Sequence, residues 1–149
     1  MILFCDTSAL VKLYIAETHS EALLQSAREA NLLAVGRIAW AEAFAALSRR
    51  AREVPADASA IDEAKRRLGA QWREYFVLEI SQAVVELAGD YADTFALRGY
   101  DSVQLACART LQLATPEPVR FACFDARLLK AARVLGMEVF PEVQAEARR

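Results

Sequence analysis

At 149 residues the chain has the length of one ordinary domain, enough to bury a substantial core without help from disulfides. Hydrophobic residues make up 55% of it against five Gly and four Pro, which argues against disorder and against a sandwich of many short strands. A formal net charge of -2 excludes bulk attraction to nucleic acid, so such a partner would need a local basic patch.

The first apolar run, MILFC (1–5), predicts a strand, followed by helical periodicity over 7–15 and again over 20–30. LLAV (32–35) predicts the next strand, then come helices over 38–52 and 57–72, divided by Pro55 and Asp57. YFVLEI (75–80) reads as a third strand, with Ser81 placed to cap a helix over 82–97 and Gly99 separating that helix from another over 101–112. ATPEPV (114–119) reads as a surface loop and RFACF (120–124) as a strand; a helix over 126–135 ends at Gly136 before the last strand, MEVF (137–140). Strand and helix alternate throughout. That is the pattern of an α/β fold whose parallel sheet, of four or five strands, is covered by about seven helices. With no internal repeat or low-complexity segment, residues 1–149 are expected to form a single domain.

Cys5, Cys107 and Cys123 are odd in number and widely spaced, matching neither a disulfide framework nor a CxxC metal pattern, so a reducing cytoplasm is expected. MILFC is too short for a signal-peptide core and stops at Asp6, and no apolar run reaches membrane-spanning length.

Four acidic residues stand beside core-forming neighbours. Asp6 directly follows the first strand in LFCDTSAL and Asp125 the fourth in FACFDARLL, both where a strand's carboxyl end meets a helix start. Active groups gather there in open parallel sheets. Asp101 opens the helix DSVQLACA on the face of Leu105 and Ala108. Glu42 lies within RIAWAEAFAAL (37–47), the only charge between Arg37 and Arg49, on the stripe of Ile38 and Ala45. For the three aspartates the competing reading is a plain helix N-cap. For Glu42, inside its helix, it is a buried ion pair with an Arg or Lys from elsewhere. Asp57, Asp62, Glu63, Asp90, Asp93 and Glu117 lie among polar neighbours and read as surface.

Four acids converging at one end of a sheet would repel and raise one another's pKa unless a cation were present. Carboxylates without a His or Cys ligand pattern are hard donors that suit Mg2+ or Mn2+ and disfavour zinc. The single histidine, His19 in AETHS, reads as exposed or capping.

The stretches LFCDTSALVKLY, IAWAEAFAAL, LRGYDSVQLACA and FACFDARLLKAARVLGMEV, in their order, spacing and acidic content, resemble the PIN-domain family, and within it the VapC-type toxins of toxin-antitoxin pairs. The resemblance spans nearly the whole chain. It implies a PIN-like sheet ordered 3-2-1-4-5 and an acidic cluster on Asp6, Glu42, Asp101 and Asp125. It also implies a metal-dependent endoribonuclease that uses one or two Mg2+ or Mn2+ ions on RNA, and a cognate VapB-type antitoxin whose tail covers the cleft. Two departures stand out: Cys123 replaces the Thr or Ser of many relatives, and FDARLL carries one acid where some members have two.

On this reading Asp6 and Asp101 bind the principal ion, Glu42 and Asp125 complete its shell or orient the attacking water, and Thr7 and Ser8 orient Asp6 or cap the helix. Ser102 carries the same ambiguity. RNA then needs nearby cations, for which Lys12, Arg98 and Arg127 are the candidates. KRR (65–67) and SRRAR (48–52) read as solvated helix faces, and Trp40, Phe44, Tyr14 and Tyr91 as core or a homodimer contact. The alternatives are a non-catalytic RNA- or protein-binding module of the same fold and, more distantly, a haloacid-dehalogenase-type phosphatase, whose DxDxT pattern the DTS after the first strand does not match. A response-regulator receiver is a further distant reading, and neither LLAV nor YFVLEI is followed by the Asp it needs.

Overall fold

The computed structural model describes residues 1–142. Its first strand, β1 (Ile2–Cys5), is followed by α1 (Thr7–Lys12), α2 (Ser20–Glu29) and β2 (Leu32–Gly36). Then come α3 (Ala39–Glu53), α4 (Ala58–Gln71), β3 (Phe76–Leu78), α5 (Gln82–Phe95) and α6 (Gly99–Ala114), with short 3-10 turns on either side of α4. The described chain closes with β4 (Val119–Ala122), α7 (Ala126–Val134) and β5 (Glu138–Phe140). All neighbouring strands are parallel, and the sheet order is β3-β2-β1-β4-β5, as the resemblance implied.

β1 is central because it is apolar on both faces. Ile2 and Phe4 join a core with α5, α6 and α7, while Leu3 and Cys5 join another with α1, α3 and α4; all four residues are buried. A strand buried on both sides reads as a continuous apolar run, which is why MILFC is so legible. Phe4 and Phe121 of adjacent strands stack with ring centroids 5.6 Å apart, tying β1 to β4 on the α5–α7 side. The Asp6 amide donates to Ala122 O at 3.1 Å, so the carboxyl ends of β1 and β4 lie side by side.

Several boundaries differ from the sequence expectation. α1 stops at Lys12, and not near residue 15, because Ser20 Oγ donates to Ile15 O and accepts from the Glu17 amide, offering that backbone a loop in place of a helix. The break before α6 falls at Ala96, left-handed at φ 52, with extended Arg98 at the cap; Gly99 and Tyr100 are already helical. Asp101 therefore sits within the first turn of α6 and caps nothing. β3 is only three residues long, since Glu79 turns outward to pair with Arg37. Trp40, read as core or a homodimer contact, is 39% exposed and packs on Phe44 and Trp72, whereas Tyr14 is buried and donates to Gln71 Oε1 at 2.6 Å. Among the described residues, no helix is long and apolar enough to cross a membrane.

Candidate active site

Asp6 and Asp125 do two jobs each. Asp6 caps α1, its Oδ1 accepting from the Ala9 amide at 2.9 Å and from Ser8 Oγ at 2.7 Å. Asp125 caps α7, its Oδ1 accepting from the Leu128 amide at 2.9 Å. Capping consumes one oxygen of each carboxylate and fixes its rotamer, and both side chains still line a common cleft. For Asp6 and Asp125, capping a helix and lining the cleft are therefore compatible.

Glu42 lies in the first turn of α3 and not mid-helix; the buried stripe of α3 is Ala39, Ala43 and Leu47, and Ile38 is exposed. Glu42 is half-buried, with no ion pair to an Arg or Lys among the described residues. Its Oε1 instead accepts from Thr7 Oγ1 at 2.9 Å and from Gln104 Nε2 at 3.2 Å. Gln104 also donates to Thr7 Oγ1 at 3.2 Å and is only 2% exposed. Sequence reasoning missed it; the available signal was an amide three residues after Asp101 on an apolar helix face. Gln104→Ala is expected to release Glu42 and lower turnover by about tenfold with a smaller change in KM, read by steady-state kinetics.

Asp101 is 7% exposed, and its Oδ2 lies 3.4 Å from Arg98 Nε. Arg98 Nη2 is 3.7 Å from Asp125 Oδ2, and its guanidinium lies 5.3 Å from the Tyr100 ring. Asp6, Thr7, Ser8, Glu42, Arg98, Tyr100, Asp101, Gln104, Phe124 and Asp125 together line a cleft of about 250 Å³ at the carboxyl ends of β1 and β4. Larger hollows on the surface contain none of the four acids.

Burial pushes the Asp6 carboxyl up to about 7, the negative fields of Asp101 and Glu42 adding to it and the Ala9 and Ser8 hydrogen bonds opposing it. Asp101 is also raised, by burial first and by Asp125, with Arg98 working against the rise. Four carboxylates thus face one cation, Arg98, among the described residues that line the cleft. Among the described residues no His or Cys lines the cleft, so the charged donors are all carboxylate oxygens, the set that suits Mg2+ or Mn2+. No three His, Cys, Asp or Glu side chains among the described residues are gathered tightly enough to grip one ion. The expected meeting of four acids is therefore a shared cleft and not a closed coordination shell. Mg2+ is commonly bound through one or two carboxylates and keeps several waters, so the donors fit.

The three cations named as RNA-contact candidates divide. Arg98 is in the cleft. Lys12 pairs with Glu17 at 3.0 Å and lies 4.8 Å from the Phe124 ring, and Arg127 donates to Ala96 O at 3.0 Å; neither lines the cleft. Within the two basic clusters, Arg49 and Arg66 pair with Glu53 and Glu63, Arg50 pairs with Glu17 and Asp57, and Arg67 donates to Tyr14 O. His19 is exposed at the start of α2, makes no side-chain cap hydrogen bond and stacks on Phe124 at 5.5 Å. Ser102 Oγ bonds back to Arg98 O and takes no part in the cleft.

A family model for the PIN domain matches residues 3–134. The chain belongs to the PIN-domain family. Among curated proteins this PIN domain is 33% identical over 141 residues to Ribonuclease VapC49 of Mycobacterium tuberculosis, covering 94% of this chain and 95% of that protein. It is 30% identical over 138 residues to Ribonuclease VapC46 of the same organism, covering 92% and 95%. Among solved structures, PAE2754 from Pyrobaculum aerophilum matches with a TM-score of 0.65 at 20% identity, covering 93% of this chain and 89% of that one. The complex VapBC2 from Rickettsia felis, bound to a DNA fragment from its promoter, matches at 0.63 and 12%, covering 93% and 97%. At such identities these structures support the fold of the PIN domain alone.

Proposed function

We propose that this PIN domain is a metal-dependent endoribonuclease and the toxin of a toxin-antitoxin pair, acting in the cytoplasm. The observation that carries the reading is the convergence of Asp6, Glu42, Asp101 and Asp125 on one cleft at the carboxyl ends of β1 and β4. Its curated relatives, similar over nearly their whole length, bear the name ribonuclease. A VapB-type antitoxin is the proposed partner, since the Rickettsia felis neighbour is the complex VapBC2 and the curated relatives bear VapC names. Three free, buried cysteines suit a reducing compartment. The whole chain, 1–149, is taken as one nuclease domain.

A bound Mg2+ or Mn2+ would supply charge neutralisation for the phosphodiester and activation of the attacking water. Asp6 and Asp101, the two buried acids of the four, would hold the ion, with Asp6 kept in one rotamer by Ser8 and the Ala9 amide. Glu42, clamped by Thr7 and Gln104, faces the cleft and orients water there, and Asp125 closes the rim. Arg98 is the cation placed to meet the phosphate against an otherwise negative wall.

The test is incubation of purified protein with end-labelled RNAs in Mn2+, Mg2+ or EDTA. Endonucleolytic products in the metals and none in EDTA are expected. RNA binding without cleavage in every metal would establish the non-catalytic module instead.

A further inference from the structure

We propose that Arg98 is a resident counter-cation, seated between Asp101 and Asp125, that a divalent ion must displace in order to load the cleft. The inference rests on the metal-dependent reading above and adds to it a competition inside the chain.

Three contacts make the seat. Arg98 Nε reaches Asp101 Oδ2 at 3.4 Å, Nη2 reaches Asp125 Oδ2 at 3.7 Å, and the guanidinium lies 5.3 Å from the Tyr100 ring. One planar fork thus spans two carboxylates contributed by different helices, a geometry that a guanidinium suits better than an ammonium does. The backbone sets it up: left-handed Ala96 ends α5 and extended Arg98 begins α6, which puts the side chain one turn ahead of Asp101. Among the described residues no Arg or Lys pairs with Asp6 or Glu42, so Arg98 is the cation that the acids of the cleft share.

The competition is soft by construction. The Arg98 side chain is 68% exposed, and ion pairs at that exposure are weak and screened, so the fork shields the pair without locking it. A divalent ion would carry twice the charge and would draw on the Asp101 carboxylate that Arg98 now pairs. Once displaced, the guanidinium remains at the mouth of the cleft, where an RNA phosphate would meet it.

Mn2+ binding to the full chain, measured by calorimetry and by the electron paramagnetic resonance of free Mn2+, tests this without any activity assay. Arg98→Met should bind Mn2+ about three- to tenfold more tightly than the unaltered chain, the weight of one or two exposed ion pairs. Arg98→Lys, which keeps the charge but loses the fork, should fall between. Arg127→Met removes one positive charge just outside the cleft and should stay within about twofold. An unchanged or weaker affinity in Arg98→Met, or an equal gain in Arg127→Met, overturns the exchange while leaving the metal reading intact. Absence of Mn2+ binding from every variant removes the metal reading itself and the exchange with it. Circular dichroism melts of each variant confirm that the chain is folded.

Discussion

Replacing Asp6 with Asn is expected to lower RNA cleavage by about 10² to 10³-fold while raising thermal stability at pH 8, a pairing that a purely structural role for Asp6 does not give. Asn caps helices as well as Asp does, so the bond from the Ala9 amide survives the change. What is lost is the negative charge on the wall of the cleft. The sign of the stability effect follows from the raised pKa: the folded carboxyl titrates at about 7, the unfolded one near its ordinary value. Between roughly pH 4 and 7 the folded chain holds a proton that the unfolded chain has released, so the stability of the unaltered protein falls as pH rises through that window. Asn carries no such penalty. Melting curves in EDTA should therefore superimpose near pH 4 and separate by several degrees at pH 8, with the variant melting higher. Equal melting at both pH values, or full cleavage by the variant, would remove Asp6 from the site.

Phe121→Ala is expected to cost about 3 to 5 kcal/mol of stability, the largest loss among single truncations in the fold. Phe121 is fully buried on β4 and stacks on Phe4 of β1, inside the core shared with α5, α6 and α7. Removing the ring opens a cavity where the two central strands are joined and strips Phe4 of its partner. For a domain of this size, a melting point lower by about 10 °C is the corresponding reading. Phe121→Leu should recover more than half of the loss. By contrast, the exposed Arg49–Glu53 pair should contribute well under 1 kcal/mol, since such pairs are screened and entropically costly.

The strands were legible where burial on both faces made the residues uniformly apolar, as in β1, and less so in β3, whose edge position leaves Phe76 47% exposed and lets Glu79 turn away. Asp6 and Asp125 were readable because a carboxylate at a strand's carboxyl end has both a capping partner and the cleft within reach. Glu42 was readable as an anomaly, although its compensation came from Thr7 and Gln104 and not from a cation. Nothing local could reveal that clamp, because its members are separated by 35 and 62 residues in the chain. The start of α6 was misplaced since Gly99 looks like punctuation, while the break is made by Ala96, whose left-handed backbone no propensity announces. Lys12 and Arg127 follow acidic motifs closely in sequence, yet helix geometry turns them to Glu17 and to Ala96 O.

The central claim is that Asp6 and Asp101 share one divalent ion in a cleft that Glu42 and Asp125 complete. Anomalous diffraction at the manganese edge, from crystals of the Arg98→Met variant grown in Mn2+, addresses it most directly. A manganese peak within coordination distance of carboxylate oxygens of both Asp6 and Asp101 is expected, with weaker or absent density there in Asp6→Asn. Manganese bound only elsewhere on the protein, or none at saturating concentration, would contradict it.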